Sequence, residues 1–111
     1  MKLCNGCLRV ALMVAALAPA VSAAPAPADD QMVTIGNFAF SPAELKVPVG
    51  TTVTFRNDDD TIHSIVAEDG SFHSKGLDTD DTFSFTFNKP GDFAYVCGLH
   101  PFMHGKVTVT Q

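Results

Sequence analysis

From Gln31 onward, apolar residues recur at every second position, and no stretch shows the three-to-four spacing of an amphipathic helix. Thr82–Phe87 is the clearest case, with Phe83, Phe85 and Phe87 on one face and Ser84 and Thr86 on the other. Thr51–Asn57 alternates in the same way, with Val53 and Phe55 together. Shorter runs over Gln31–Ile35, Phe38–Phe40, Glu44–Val47, His63–Ala67, Phe93–Cys97 and Lys106–Thr110 also predict strands. Between them lie Ser41-Pro42, Pro48-Val49-Gly50, the acidic run Asp58-Asp59-Asp60 and Asn88-Lys89-Pro90-Gly91, all turn or loop chemistry. Residues 71–81 show no period and are expected to form a long loop. About seven to eight short strands punctuated by turns predict an all-β sandwich or barrel.

The first residues follow a different pattern. Lys2 and Arg9 supply a positive start, Val10–Ala18 is apolar, and Val21-Ser22-Ala23 offers small residues for cleavage. This is the layout of a secretory signal peptide. The apolar run falls well short of the roughly 20 residues that cross a bilayer. Residues 1–23 are therefore expected to be removed, leaving no membrane span. Residues 24–30 read as an Ala/Pro-rich flexible leader, and residues 31–111 as one folded domain. The expected location is the periplasm.

Processing changes both charge and cysteine content. Without Lys2 and Arg9, five basic side chains face twelve acidic ones, a net charge of −7. That balance excludes nucleic acid as a partner, whose phosphates need cationic neutralisation, and suits steering toward a basic protein. Cys4 and Cys7 fall within the signal peptide, so the mature chain keeps Cys97 alone. It has no partner for an internal disulfide, and a lone thiol in an oxidising compartment needs something to hold it.

A candidate is written around it. Cys97, His100 and Met103 stand at C-x-x-H-x-x-M spacing between two predicted strands, and His63 begins a strand 34 positions earlier. Thiolate and thioether are soft donors that favour Cu(I), while imidazole also serves Cu(II). Zinc suits Cys and His as well, but rarely recruits Met, and no second Cys or carboxylate sits at ligand spacing here. Taken one by one, Cys97 and Met103 fit a core and His100 a surface; together at this spacing they point to copper.

From Gln31 to the C-terminus the chain resembles the cupredoxins, the type 1 blue-copper family, and the loop Cys97–Met103 is similar to that of amicyanins. The resemblance implies a Greek-key β-sandwich with one copper ion near one end. His63, Cys97 and His100 would be the in-plane ligands and Met103 the axial one. It also implies that Asn57, six residues before His63, ties the ligand loops together and hydrogen-bonds near the sulfur; a strand-end turn residue is the alternative. Amicyanins generally carry proline at the position of Leu99, and leucine frees a backbone N–H that can reach the sulfur. Leu99, Pro101 and Phe102 would form an apolar patch for redox partners, unless Phe102 packs inward. The acidic loops at Asp58–Asp60 and Asp78–Asp81 read as solvated, and His73 and His104 as surface residues.

The implied function is a monomeric carrier of single electrons between redox proteins, such as a dehydrogenase and a c-type cytochrome. A periplasmic copper chaperone or storage protein is the rival class, but such proteins favour several open Met or His ligands, and Met32 is the only further Met in the mature chain. A copper enzyme would need a second cluster, for which the mature chain has no second Cys. No enzymatic activity is expected.

Overall fold

A computed structural model describes residues 30–111; the predicted signal peptide and all but the last residue of the leader lie outside the described residues. Eight strands follow in order: β1 (Gln31–Gly36), β2 (Ala39–Ser41), β3 (Glu44–Pro48), β4 (Thr51–Asn57), β5 (Val66–Ala67), β6 (Thr82–Phe87), β7 (Gly91–Val96) and β8 (His104–Thr110). They form two four-stranded sheets, ordered β2-β1-β4-β6 and β3-β8-β7-β5. The chain passes repeatedly between layers, so β1 lies parallel to β4 and β3 parallel to β8, while the remaining pairs are antiparallel. The result is the expected all-β sandwich. Among the described residues no helix is long and apolar enough to cross a membrane.

Period-two patterning places the core. Val33 and Ile35 of β1, Val53 and Phe55 of β4, Tyr95 of β7, and Val107 and Val109 of β8 are all buried between the sheets. Within β1, β4 and β8 the two buried residues sit two positions apart, the spacing that keeps successive side chains on one face of a strand. Phe87 is buried, whereas Phe83 and Phe85 are half-buried toward the edge. Thr52 and Thr86 meet across the outer face with their hydroxyls 2.7 Å apart, as do Thr54 and Ser84 at 2.8 Å.

One expectation needs correcting. The strand predicted over His63–Ala67 contracts to Val66–Ala67, and His63 makes only an isolated bridge to Leu77. The reason is local competition for the backbone. Ser64 N–H points at Cys97 Sγ (3.4 Å) and Ile65 N–H donates to Ser74 Oγ (2.8 Å), so neither is free to join a ladder. The segment 71–81 is a long loop, as expected, but it is tied to the core. Phe72 and Leu77 are buried in the core, and backbone bonds tie Leu77 to His63 and Ser74 to Ile65.

Tyr95 is the largest fully buried side chain, edge-on to Phe40 (4.8 Å) and Phe55 (5.2 Å). Opposite it in the ladder is Gly105. A Cβ at that position would overlap the phenol ring, so the bulk of Tyr95 requires glycine across the strand pair. The Tyr95 hydroxyl is buried without a hydrogen-bond partner among the described residues, and burial pushes its pKa well above the ordinary value. An unpaired buried hydroxyl costs about 1–3 kcal/mol, whereas overpacking a filled core costs about as much again. In urea denaturation, Tyr95→Phe should therefore raise stability by about 1 kcal/mol and Gly105→Ala lower it by about 2–3 kcal/mol. Equal midpoints for both variants would contradict this packing.

Candidate metal centre

The candidate metal centre lies at one end of the sandwich, where two pieces of chain meet. Phe93 and Tyr95 set the inward parity of β7, and Cys97, the next residue in that series, continues it just past the strand end. Its thiol is completely buried and, among the described residues, forms no disulfide. The chain then turns tightly: His100 N–H donates to Cys97 O (3.3 Å), Met103 N–H to His100 O (2.8 Å), and Cys97 N–H to Met103 O (3.1 Å). Three residues spaced by three are thereby folded onto one another before β8 begins. His63 enters from the opposite side, carried by the segment after β4 and held by its two backbone bonds with Leu77 (3.1 and 2.6 Å).

Cys97 Sγ lies 3.7 Å from His63 Nδ1 and 3.6 Å from His100 Nδ1. The three donor atoms all fall within 4.8 Å of one another. Thiolate and imidazole bonded to one common metal at about 2.3 and 2.0 Å, with angles between tetrahedral and trigonal, sit about 3.5–3.7 Å apart. The spacing therefore matches a shared ion. Met103, predicted as the fourth donor, is buried in the same loop at 2% exposure. Cys97 and His63 are both 0% exposed, while His100 is half-buried.

Asn57 lies on the inward face of β4, in line with Val53 and Phe55, and is fully buried. Its Nδ2 donates to Thr61 O (2.9 Å) and Leu77 O (2.8 Å), and its Oδ1 accepts from Asp59 N–H (2.9 Å). It staples the loop that carries His63. It does not reach the sulfur, however. The N–H aimed at Cys97 Sγ belongs to Ser64, and it does not come from Leu99 either. Ser64 Oγ also accepts from Gly98 N–H at 3.0 Å, locking the two ligand segments together. A Cβ at Gly98 would stand 2.7 Å from that oxygen, so glycine is required for this close approach.

Three contributors were not legible as such. Asp59 belongs to the acidic run read as a solvated loop, yet its Oδ2 lies 3.0 Å from His63 Nε2. With Nδ1 facing the sulfur, Nε2–H donates to this carboxylate, which fixes the tautomer and the ring plane. The bond to His63 holds the Asp59 carboxyl below its ordinary pKa; desolvation opposes this, and the N–H groups of Phe38 and Asp60 reinforce it. The stability this contributes is thus present above the unfolded-state pKa and is lost as pH falls through the lowered folded value. The usable signal was that ligand histidines donate their second N–H to a nearby carboxylate. Ser64 and Phe38 carried no comparable signal.

Around the half-buried imidazole, Leu99 (52%) and Phe102 (66%) are exposed, together with Pro101. Phe102 faces outward, with its ring 6.0 Å from His100. His73 and His104 are exposed, as expected of surface residues.

The profile of the cupredoxin-like domain family matches residues 9–109. The chain belongs to the cupredoxin-like family. Amicyanin-alpha of Methylorubrum extorquens is 34% identical over 89 residues, which is 76% of this chain and 75% of the relative. Among solved structures, a purple cupredoxin from Nitrosopumilus maritimus is 37% identical, covers 73% of this chain and all of its own, and has a TM-score of 0.69. A reduced amicyanin variant is 30% identical, with the same TM-score, over 73% of this chain and 82% of its own. The protein is therefore an amicyanin-like cupredoxin and a small electron carrier, and the cofactor of the family is type 1 copper.

If Asp59 orients His63, Asp59→Ala should weaken copper binding by about 10- to 100-fold in a competitive chelator titration while leaving the apoprotein folded. Unchanged affinity would remove Asp59 from the centre.

Proposed function

We propose that this cupredoxin carries single electrons in the periplasm and that His63, Cys97, His100 and Met103 would hold its copper. The observation that carries this is the approach of two imidazole Nδ1 atoms to one buried thiol, at 3.6 and 3.7 Å. Bound there, copper would supply a one-electron couple between Cu(I) and Cu(II), for which soft sulfur and borderline nitrogen donors suit both states.

The chain's own contribution is rigidity and dryness. Asp59 fixes the His63 ring, Asn57 fixes its loop, and Ser64 joins the two ligand segments through the sulfur and Gly98. Donors held this way move little when the charge between them changes, so little reorganisation opposes transfer. Complete burial of Cys97 and His63 keeps water from the sulfur. His100 is the ligand nearest solvent, and the exposed apolar residues Leu99, Pro101 and Phe102 beside it offer a small docking face. Small apolar faces suit short-lived redox encounters. The partners proposed are an electron-donating dehydrogenase and an accepting c-type cytochrome, with the carrier acting as a monomer. A donor set in which Cys97, His63 and Met103 are buried favours retaining copper through many cycles over handing it on as a chaperone or store does.

Adding Cu(II) to the mature chain should give intense blue thiolate-to-copper absorption, and Cys97→Ser should abolish the colour while preserving the fold. A colourless protein that prefers zinc would contradict the proposal.

A further inference from the structure

The hairpin between β1 and β2 turns through Asn37 and Phe38, with φ of 52° and 57°. Gly36 pairs with Ala39 across it, so the loop holds two residues. A hairpin of this kind asks for positive φ at both central positions; asparagine suits the first and glycine the second. Phenylalanine in a left-handed conformation is a genuine outlier, because its Cβ crowds the backbone. Nothing in the turn itself calls for it. Nor does the core, since Phe38 is 42% exposed.

The ring's aromatic neighbours all belong to the metal end. It meets His63 edge-on at 5.5 Å and 82°, and His100 at 5.1 Å and 85°, with Phe102 6.4 Å away. Phe38 N–H donates to Asp59 Oδ2 (3.3 Å), the same oxygen that bonds His63 Nε2. The two imidazoles are otherwise held unequally. His63 is buried and tied to a carboxylate, whereas His100 is half-buried, and among the described residues no side chain accepts a hydrogen bond from its Nε2.

We propose that Phe38 is a positioning residue of the copper centre: the hairpin tolerates backbone strain there because the ring clamps the His100 imidazole by packing, as Asp59 clamps His63 by hydrogen bonding. Strain retained beside a functional site is stored where the surrounding structure over-determines it. The claim rests on the copper ligand set proposed above, and it fails separately from it.

Three variants test it: Phe38→Ala, Phe38→Gly and Phe38→Tyr. In the copper-free protein, F38G should have a folding equilibrium constant about three- to tenfold above that of F38A, since both lack the ring and only glycine relieves the positive φ. In the copper-loaded protein, F38A and F38G should lose copper to excess chelator about tenfold faster than the unsubstituted protein, a step typical of lost ligand-orienting contacts. F38Y should release it within about twofold of the unsubstituted rate, because it keeps the ring. Faster release from the more stable glycine variant separates positioning from mere stability. Release as slow as in the unsubstituted protein, or F38A folding as well as F38G, would overturn the proposal and leave the ligand set standing. An unsubstituted protein that does not turn blue with copper would overturn the ligand set, and this proposal with it.

Discussion

Inward parity on β7 governs the metal centre. Phe93, Tyr95 and Cys97 occupy one face, and that face looks between the sheets, so the thiol is delivered into the interior at the point where the strand stops pairing. A buried thiol beside a buried imidazole is costly unless each polar atom finds a partner. His63 satisfies one nitrogen on Asp59 and turns the other toward the sulfur, and the sulfur receives Ser64 N–H. The remaining bonding capacity of both points at one place, beside His100 Nδ1. Much of the nearby architecture serves to keep that place fixed, including the Asn57 staple, the glycine at 98 and the tight turn from Cys97 to Met103.

Rigidity there comes from opposite sheets working against each other. β4 and its continuation, from the first sheet, set Asn57 and the loop to His63, while β7 and β8, from the second, set the other donors. The aromatic cluster of Phe40, Phe55, Phe72 and Tyr95 fills the space between the sheets. Packing of this density resists small displacements.

Much of this was legible from residues alone. Alternation over Thr51–Asn57 and Thr82–Phe87 declares strands because the backbone pleat admits no other reading of period two. The Cys97, His100 and Met103 spacing declares a ligand loop because soft donors rarely cluster so tightly without a metal. Less legible was anything set by long-range contact. The strand expected at His63–Ala67 shrinks to Val66–Ala67 because Cys97 and Ser74, 33 and 9 residues from Ser64 and Ile65, take the N–H groups before it. Asp59 looks like any acidic loop residue until the fold brings its carboxylate onto His63. Phe38 looks like a strand residue, and only its backbone angle and its neighbours reveal the turn and the ring contacts. The apolar surroundings of Leu99, Pro101 and Phe102 were predicted from the loop, and the outward direction of Phe102 was decided by the structure.

X-ray absorption at the copper edge, recorded on the oxidised and reduced forms of the loaded protein, tests the centre most directly. The proposed ligand set predicts one short sulfur neighbour and two nitrogen neighbours, with distances that scarcely change between the two forms. Loss of the sulfur neighbour, or a wholesale change of coordination on reduction, would contradict it.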